Sequence, residues 1–323
     1  MKLQNLIKSI FLVSMFVTAF VACDTDAEKI EIQKPYTYDE TYYANLREYK
    51  KSDHPISYMW FADYTADYSV GLRFIGLPDS LDICSLWAGI PSPEGSLAEA
   101  YNEMCWVRET KGTRFVMCTF PSVDNLDWVM ELPEEERIKA YGDHILRSIY
   151  DNNLDGVDFD YEIQGDWMFG KNMVKLIEYM GQYIGPKGKD PSKLLIVDGL
   201  TLAGGYDYLS YFVEQAYNRT AASTLQSDYQ DHAAKGLPPE RYIVTETLGD
   251  NYANGGVAFT EANGNTESAY GGQLYSLEGM ARWNPTQGRK GGFGAFYGQR
   301  DYNSNPPYKY FRRAIQCCNP PMK

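Results

Sequence analysis

Short apolar runs alternate along the chain with longer amphipathic stretches. The short runs have the length and the aliphatic and aromatic content of buried β-strands. Eight strands are predicted, at Ile56–Phe61, Asp82–Leu86, Arg114–Thr119, Gly156–Glu162, Leu194–Asp198, Tyr211–Tyr217, Tyr242–Glu246 and Gly292–Tyr297. Helices are predicted between them, including Pro133–Asn152, Met168–Ile184 and Gly272–Trp283.

Eight strands alternating with helices over about 270 residues is typical of a single (β/α)8 barrel, an α/β fold. We therefore predict that residues 51–323 form a TIM barrel. A doubly wound sheet is the alternative, but no glycine-rich phosphate-binding motif follows the first strand. A TIM barrel carries its active site at the carboxyl ends of the strands.

The amino terminus has the pattern of an export signal. Lys2 and Lys8 precede an apolar run from Ile10 to Ala22, which is too short to span a membrane. The residues FVAC, ending at Cys23, resemble a bacterial lipobox. This resemblance implies cleavage before Cys23 and lipid attachment to it, with plain secretion as the alternative. Residues 1–22 are thus predicted to be a signal peptide, and the polar, tyrosine-rich residues 23–50 a linker.

Acidic residues after Cys23 look like the export signals of Bacteroidetes surface lipoproteins, which implies an outer-membrane protein anchored by lipid and exposed at the cell surface. Removing residues 1–22 removes two lysines and no acid, so the net charge falls from −13 to −15. Such a charge disfavours nucleic acid and anionic lipid as partners. Neutral glycans remain compatible, and the 27 tyrosines and 6 tryptophans suit sugar-binding clefts or barrel packing.

The cysteines and histidines do not indicate a metal site. Besides Cys23 there are five cysteines without CxxC spacing, and the three histidines lie far apart in the sequence. We therefore expect neither a metal nor another cofactor.

The most informative segment is LDGVDFDYE, residues 154–162, which places acids at every second position: Asp158, Asp160 and Glu162. Side chains in a strand alternate between faces, so these three share one face. Crowded carboxylates raise each other's pKa, which suits acid–base catalysis. A solvated strand face and a calcium site are the alternatives, but the apolar residues between the acids and the strict alternation favour catalysis.

The segment DGVDFDYE resembles the DGxDxDxE motif of glycoside hydrolase family 18 at every fixed position, on the fourth predicted strand. On the sixth, Gln215 and Tyr217 resemble the Gln-x-Tyr of its endo-β-N-acetylglucosaminidase branch. The third strand lacks the SxGG of chitinases, and the eighth ends in Phe296–Tyr297 instead of a tryptophan. The resemblance therefore favours the endoglycosidase branch over chitinases.

This resemblance implies substrate-assisted catalysis, in which the acetamido oxygen of the sugar attacks its own anomeric carbon. Glu162 would be the general acid and then the base, and Asp160 would accept a hydrogen bond from the acetamido N–H. Asp158 would share a proton with Asp160. Tyr217 would donate a hydrogen bond to the acetamido oxygen, with Gln215 beside it.

Three further residues are expected to bind substrate: Asp155 of the motif, Tyr297 and Trp167. Trp87, Trp128 and Trp167 are candidate stacking platforms, with packing as the alternative for each. The implied substrate is the GlcNAc-β-1,4-GlcNAc core of N-glycans on glycoproteins, with neighbours in a glycan-uptake complex as further partners. A non-catalytic surface glycan-binding protein and a chitinase-like hydrolase remain open at this point.

Overall fold

The computed structural model describes residues 36–64 and 70–320, which build a closed barrel of parallel strands in sequence order. Each strand pairs with its sequence neighbours, and β1 closes the barrel against β8. The strands are β1 (Ile56–Phe61), β2 (Ile83–Leu86), β3 (Arg114–Thr119), β4 (Gly156–Tyr161), β5 (Leu194–Gly199), β6 (Tyr211–Glu214), β7 (Tyr242–Thr247) and β8 (Gly292–Phe296). The predicted (β/α)8 barrel is confirmed.

Three predicted strands end earlier than expected: β8 ends one residue early, at Phe296, and the early ends of β4 and β6 bear on the site. β4 ends at Tyr161 and β6 at Glu214. The last paired residue of β6 is Glu214, which lies opposite Val244 of β7. Glu162, Gln215 and Tyr217 therefore follow their strands, at the rim of the barrel, where the chain is no longer bound by neighbours on both sides.

Helices follow most of the strands, while the described residues after β1 and β5 form only short 3-10 turns. The α-helices are α1 (Glu40–Lys51), α2 (Ala98–Lys111), α3 (Asp127–Met130), α4 (Glu134–Asp151), α5 (Lys171–Met180), α6 (Ala222–Ala233), α7 (Ser276–Arg282) and α8 (Lys309–Cys318). α4 begins after Pro133, with three glutamates in its first turn, as its sequence predicts. α5 and α7 are shorter than predicted, and α5 lies between Gly170 and Gly181.

The predicted linker ends earlier than residue 50, because residues 40–51 form α1. Asp39 caps this helix by accepting a hydrogen bond from the backbone N–H of Tyr42 at 2.9 Å. Arg47 donates to the Thr110 carbonyl at the end of α2, and Lys50 donates to the Leu81 carbonyl just before β2. These contacts make α1 part of the barrel unit.

The core has two layers, one inside the barrel and one between the strands and the helices. The inner layer holds alternate residues of the strands, among them Tyr58 and Trp60 of β1. Val157, Phe159 and Tyr161 of β4 belong to the outer layer. The acids between them therefore face the barrel interior, and the predicted alternation along β4 is confirmed.

The predicted signal peptide, Cys23 and the first part of the predicted linker lie outside the described residues. Within residues 36–64 and 70–320, no helix combines the length and the apolar character needed to cross a membrane.

Candidate active site

β4 carries the acidic ladder into the barrel. Gly156 begins this strand with φ of +148°, and a Cβ there would come within 2.1 Å of the Leu194 carbonyl oxygen. Only glycine fits such an approach between β4 and β5. Asp158 and Asp160 point inwards, while Glu162, just beyond the strand, is exposed. The glycine of the motif thus sets β4 against β5, and the acids rise from the interior to the rim.

Asp158 is fully buried and anchored at one carboxylate oxygen. Its Oδ2 accepts hydrogen bonds from the Tyr58 hydroxyl, from Trp60 Nε1 at 2.9 Å and from Ser85 Oγ at 2.8 Å. Burial raises the pKa of Asp158, and these hydrogen bonds oppose that increase. Asp158 is therefore held in one position by groups from β1 and β2.

Asp160 lies one step closer to solvent, and its residue is 8% exposed. Burial, followed by the charges of Glu162 and Asp158, raises its pKa to about 7. A carboxyl group with this pKa changes charge near neutral pH. Burial and the neighbouring charges thus give Asp160 a pKa suited to acid–base chemistry at neutral pH.

Asp198 of β5 is a further acid in the cluster, and it was not among the predicted site residues. It is the register partner of Asp160 across the two strands. Its side chain is fully buried, and its Oδ1 accepts a hydrogen bond from Gln215 Nε2 at 2.7 Å. The signal was present in LLIVDG, residues 194–199, where one acid ends an otherwise apolar strand.

A cavity of about 160 Å³ opens above these acids. Its walls bring together acids, one amide and aromatic rings from seven strand ends: Trp60, Trp87, Phe120, Asp160, Glu162, Asp198, Gln215, Tyr217 and Phe296. The ring of Tyr217 stacks on Phe296 with centroids 5.8 Å apart and 18° between planes. Burial and the neighbouring acids raise the pKa of the Tyr217 hydroxyl well above its usual range, so it remains a hydrogen-bond donor.

Several predicted site residues converge here and others do not. Glu162, Asp160, Gln215 and Tyr217 all line the cavity, with Asp158 directly beneath it. Asp155 lies at the opposite, amino-terminal end of β4, where its carboxylate accepts the Phe115 backbone N–H at 2.8 Å. Asp155 was predicted to bind substrate because it belongs to the motif. Its position away from the cavity and its bond to the Phe115 backbone instead indicate a structural role.

Tyr297 and Trp167 also take other positions. The backbone of Tyr297 is left-handed, with φ of +51°, so its ring leaves the alternation of β8 and packs against Phe296 and Trp87. Phe296 lines the cavity in its place. The Trp167 ring lies under the guanidinium of Arg137, 5.3 Å from its centroid. Among the candidate platforms, Trp87 lines the cavity, whereas Trp128 contacts His144 on α4.

The loops after β3 and β4 are joined by the carboxylate of Asp166. It accepts hydrogen bonds from Ser122 Oγ at 2.6 Å, from the backbone N–H groups of Val123 and Asp124, and from that of Met168 at 2.8 Å. These bonds lower the pKa of Asp166 against the effect of its burial. The two loops therefore form one wall beside the cavity.

Cys118, Asp158 and Asp198 place one ligand-type atom each within 4.8 Å of one another. The group is geometrically able to surround a small cation. However, three N–H and O–H donors already surround one oxygen of Asp158, and such hydrogens repel a metal ion. This cluster suits a proton better than a cation.

Comparisons with known proteins show which sequences and folds this chain resembles. A family model described as glycoside hydrolase family 18, BT1044-like, matches residues 21–317. The endo-β-N-acetylglucosaminidase F2 of Elizabethkingia meningoseptica is 24% identical over 349 aligned residues, covering 95% of this chain and 96% of that protein. EndoS of Streptococcus pyogenes serotype M1, also an endo-β-N-acetylglucosaminidase, is 25% identical over 51% of this chain, which spans only 20% of EndoS.

Solved structures share the fold. A selenomethionine variant of BT1044 superimposes with a TM-score of 0.72 at 24% identity, covering 90% of this chain and 97% of that one. An endo-β-N-acetylglucosaminidase from Cordyceps militaris gives 0.64 at 20% identity, with 90% and 99% covered. The family match spans most of the chain. The barrel of this chain carries the acids of the motif on β4 and at its carboxyl end. The chain belongs to glycoside hydrolase family 18, in its BT1044-like group, and is a glycoside hydrolase.

Proposed function

We propose that this protein is an endo-β-N-acetylglucosaminidase that hydrolyses the GlcNAc-β-1,4-GlcNAc core of N-glycans on glycoproteins. The observation that carries the proposal is the convergence of Glu162, Asp160, Gln215 and Tyr217 on one small cavity. The names of the two curated relatives support the same activity.

The proposed mechanism uses the substrate's own acetamido group as nucleophile, with retention at the anomeric carbon. Glu162 is exposed at the cavity mouth, so its carboxyl group can reach the glycosidic oxygen, donate a proton and then activate water. Asp160, once ionised, accepts the acetamido N–H and stabilises the positive charge of the oxazolinium intermediate.

Tyr217 completes the arrangement from the other side of the cavity. Its hydroxyl donates to the acetamido oxygen as that oxygen approaches C1, and stacking on Phe296 fixes the ring. Gln215 lies between Tyr217 and the acids, and its Nε2 is bound to Asp198. The acetamido group is therefore oriented from both ends.

A glycoprotein assay tests the activity. Incubation with a high-mannose glycoprotein should leave one GlcNAc on asparagine and release a glycan with a single GlcNAc at its reducing end, as measured by mass spectrometry. Glu162→Gln is the control variant. Binding without product would favour the non-catalytic glycan-binding alternative, and cleavage of chitin oligomers but not of glycoprotein would favour a chitinase.

A second assay tests the mechanism. A substrate with a 2-hydroxyl in place of the acetamido group at the cleaved sugar lacks the nucleophile. It should not be hydrolysed, even where it binds. Hydrolysis at the normal rate would require an enzymatic nucleophile and would contradict the proposed mechanism.

We further propose that the mature chain begins at a lipidated Cys23 and is held at the outer membrane, facing glycoprotein substrates and partners in glycan uptake. The lipobox-like residues before Cys23 support this. Labelling of cells with a fatty-acid analogue should mark the wild type but not Cys23→Ser, and surface protease should reach the wild type in intact cells. Equal labelling of both would exclude the anchor.

A further inference from the structure

Two buried carboxylate oxygens below the cavity have no hydrogen-bond partner among the described residues. They are Oδ1 of Asp158 and Oδ2 of Asp198. Both side chains are fully buried, so water cannot serve as the partner from the bulk. A buried charged oxygen without a partner is costly, and such an atom calls for an explanation.

The two carboxyl groups are close enough to serve each other. Each places one oxygen within 4.8 Å of the other and of Cys118 Sγ. The remaining oxygens already have donors, three at Asp158 and Gln215 at Asp198. The two carboxyl groups also lie within hydrogen-bonding reach of each other when one of them carries a proton, so a single proton can serve both unpartnered oxygens.

No positive charge relieves the cluster by another route. Within residues 36–64 and 70–320, no lysine, arginine or histidine hydrogen bonds to these carboxyl groups. The titratable groups that influence Asp198 are all acids: Tyr58 of β1, Cys118 of β3, Asp158 and Asp160 of β4, and Tyr217 after β6. Glu162, which lines the same cavity, is an acid as well. Proton uptake is the remaining way to reduce the repulsion.

We propose that Asp158 and Asp198 share one proton in the working enzyme, that it resides on Asp198, and that neutral Asp198 is a positioning residue for the reaction. The inference rests on the proposed function only for the reaction that it serves. Three donors stabilise a negative charge on Asp158, whereas a single amide donor contacts Asp198. The proton therefore prefers Asp198, whose Oδ2–H donates to Asp158 Oδ1.

The electrostatics agree with this placement. Burial and then the charges of Asp158 and Asp160 raise the pKa of Asp198 well above its usual range. The sequence analysis expected Asp158 to share a proton with Asp160. Our proposal instead places the proton that Asp158 shares on Asp198 of β5.

Neutral Asp198 also orients Gln215. Its Oδ1 accepts from Gln215 Nε2 at 2.7 Å, whereas Asp160 Oδ1 is 3.4 Å from the same nitrogen. The amide nitrogen is thereby held beneath the cavity, next to Asp160. Loss of Asp198 would release Gln215 and leave Asp158 with an unpartnered oxygen.

A pair of substitutions tests this role in the full chain with a glycoprotein substrate. Asp198→Ala removes both hydrogen bonds, and we expect kcat/KM to fall by about 100-fold through misplacement of the acetamido contacts. Asp198→Asn matches the shape and the hydrogen bonding of a neutral acid: its amide donates to Asp158 and its oxygen accepts from Gln215. It should recover most of the loss, to within about tenfold of the wild type. If Asn were as damaging as Ala, Asp198 would have to act as an anion.

A pH series of unfolding measurements tests the proton itself and needs no substrate. The folded-state pKa of Asp198 lies above the unfolded value of about 3.9. The free energy of unfolding of the wild type therefore falls as pH rises from the unfolded value towards the folded one. Relative to Asp198→Asn, its folding equilibrium constant should fall by about tenfold per pH unit across the mildly acidic range. Parallel curves for the two proteins would overturn the proposal.

These two measurements separate the possible failures. If no glycan substrate is cleaved but the unfolding curves diverge, the shared proton stands and the proposed function fails. If glycoprotein is cleaved but the curves run parallel and Asn behaves like Ala, the function stands and the proton is elsewhere.

Discussion

The two ends of the barrel treat their carboxylates in opposite ways. At the amino-terminal end, Asp82 meets His54 at 3.1 Å and Asp79 meets Lys111 at 2.7 Å. At the carboxyl end, Asp158, Asp160 and Asp198 crowd together, and no described cation bonds to them. At the amino-terminal end the acids form ion pairs, whereas at the carboxyl end the described acids lie together without a cationic partner.

Cavity size gives the opposite impression of where the chemistry lies. A cavity of about 920 Å³ lies at the amino-terminal end, between the residues before β1, α7 and the end of α8. Its lining includes Lys290, which donates to the Ala281 carbonyl at 2.8 Å. The cavity above the acids has about 160 Å³. Unrelieved charge identifies the site better than volume does, because keeping acids crowded costs stability.

The largest expected effect is on activity at the carboxyl end. Glu162→Gln removes the group that donates the proton, so kcat/KM should fall by about 10³-fold. The side chain is exposed, and the free energy of unfolding should change by no more than about 0.5 kcal/mol. Glycan release and denaturant titration measure the two quantities. Full activity in this variant would remove Glu162 from the mechanism.

Asp160→Asn should lose about 10²-fold in kcat/KM, because a neutral amide no longer stabilises the oxazolinium charge. The wild-type kcat/KM should decline as pH falls through about 7, where Asp160 takes up a proton. This limb of the pH profile should be absent from the variant. A wild-type rate that stays constant down to pH 5 would contradict the assignment.

The same substitution should stabilise the fold near neutral pH. The folded pKa of Asp160, about 7, exceeds the unfolded value of about 3.9, so the wild type loses stability as pH rises between them. After allowance for its partial exposure, the gain in the variant at pH 7 should be about 1–2 kcal/mol. Urea titration at pH 4 and pH 7 measures it. A loss of stability at pH 7 would show that Asp160 is paired after all.

At the other end of the same strand the expectation reverses. Asp155→Ala leaves the Phe115 backbone N–H without its acceptor and should cost about 1–3 kcal/mol in the free energy of unfolding. Activity per folded molecule should stay at the wild-type level. A specific loss of activity, with stability intact, would restore Asp155 to the substrate site.

The smallest effect concerns His54. Burial lowers its pKa, but the hydrogen bond and the charge of Asp82 outweigh burial, and the pKa is raised overall. Its contribution to stability is therefore full below the unfolded value of about 6.5 and is lost as pH rises through the folded value. Because burial offsets part of the effect of Asp82 on the pKa, His54→Gln should cost less than about 1 kcal/mol at pH 6 and nothing near pH 9. Equal losses at both pH values would exclude the ion pair as the cause.

Much of this arrangement follows from sequence, for identifiable reasons. The alternation of acids with Val157, Phe159 and Tyr161 fixes which side chains enter the barrel. The eight apolar runs predict the strand count, and Gln215 with Tyr217 predicts the second wall of the cavity. Each of these patterns is periodic or repeated, so the prediction drawn from it does not depend on the exact residue at which an element ends.

What sequence did not predict depends on geometry that no local pattern encodes. Asp198 is a single acid, and only the register of β5 against β4 places it beside Asp160. Tyr297 does not line the cavity, because the residue before it, Phe296, holds the inward-facing position at the end of β8. Asp155 and Glu162 share a motif but lie beyond opposite ends of β4, so Asp155 supports the strand whereas Glu162 reaches the cavity.

The Asp166 carboxylate has a consequence for how glycan preference can diverge or be engineered. The carboxylate accepts from Ser122 and Val123 of the loop after β3 and from Met168 of the loop after β4, to which Asp166 itself belongs. A change in the length of either loop would therefore leave backbone N–H groups without an acceptor. Transplanting the residues after β4 from a relative would fail unless those after β3 were transplanted with them. We therefore expect the two loops that form this wall to change together.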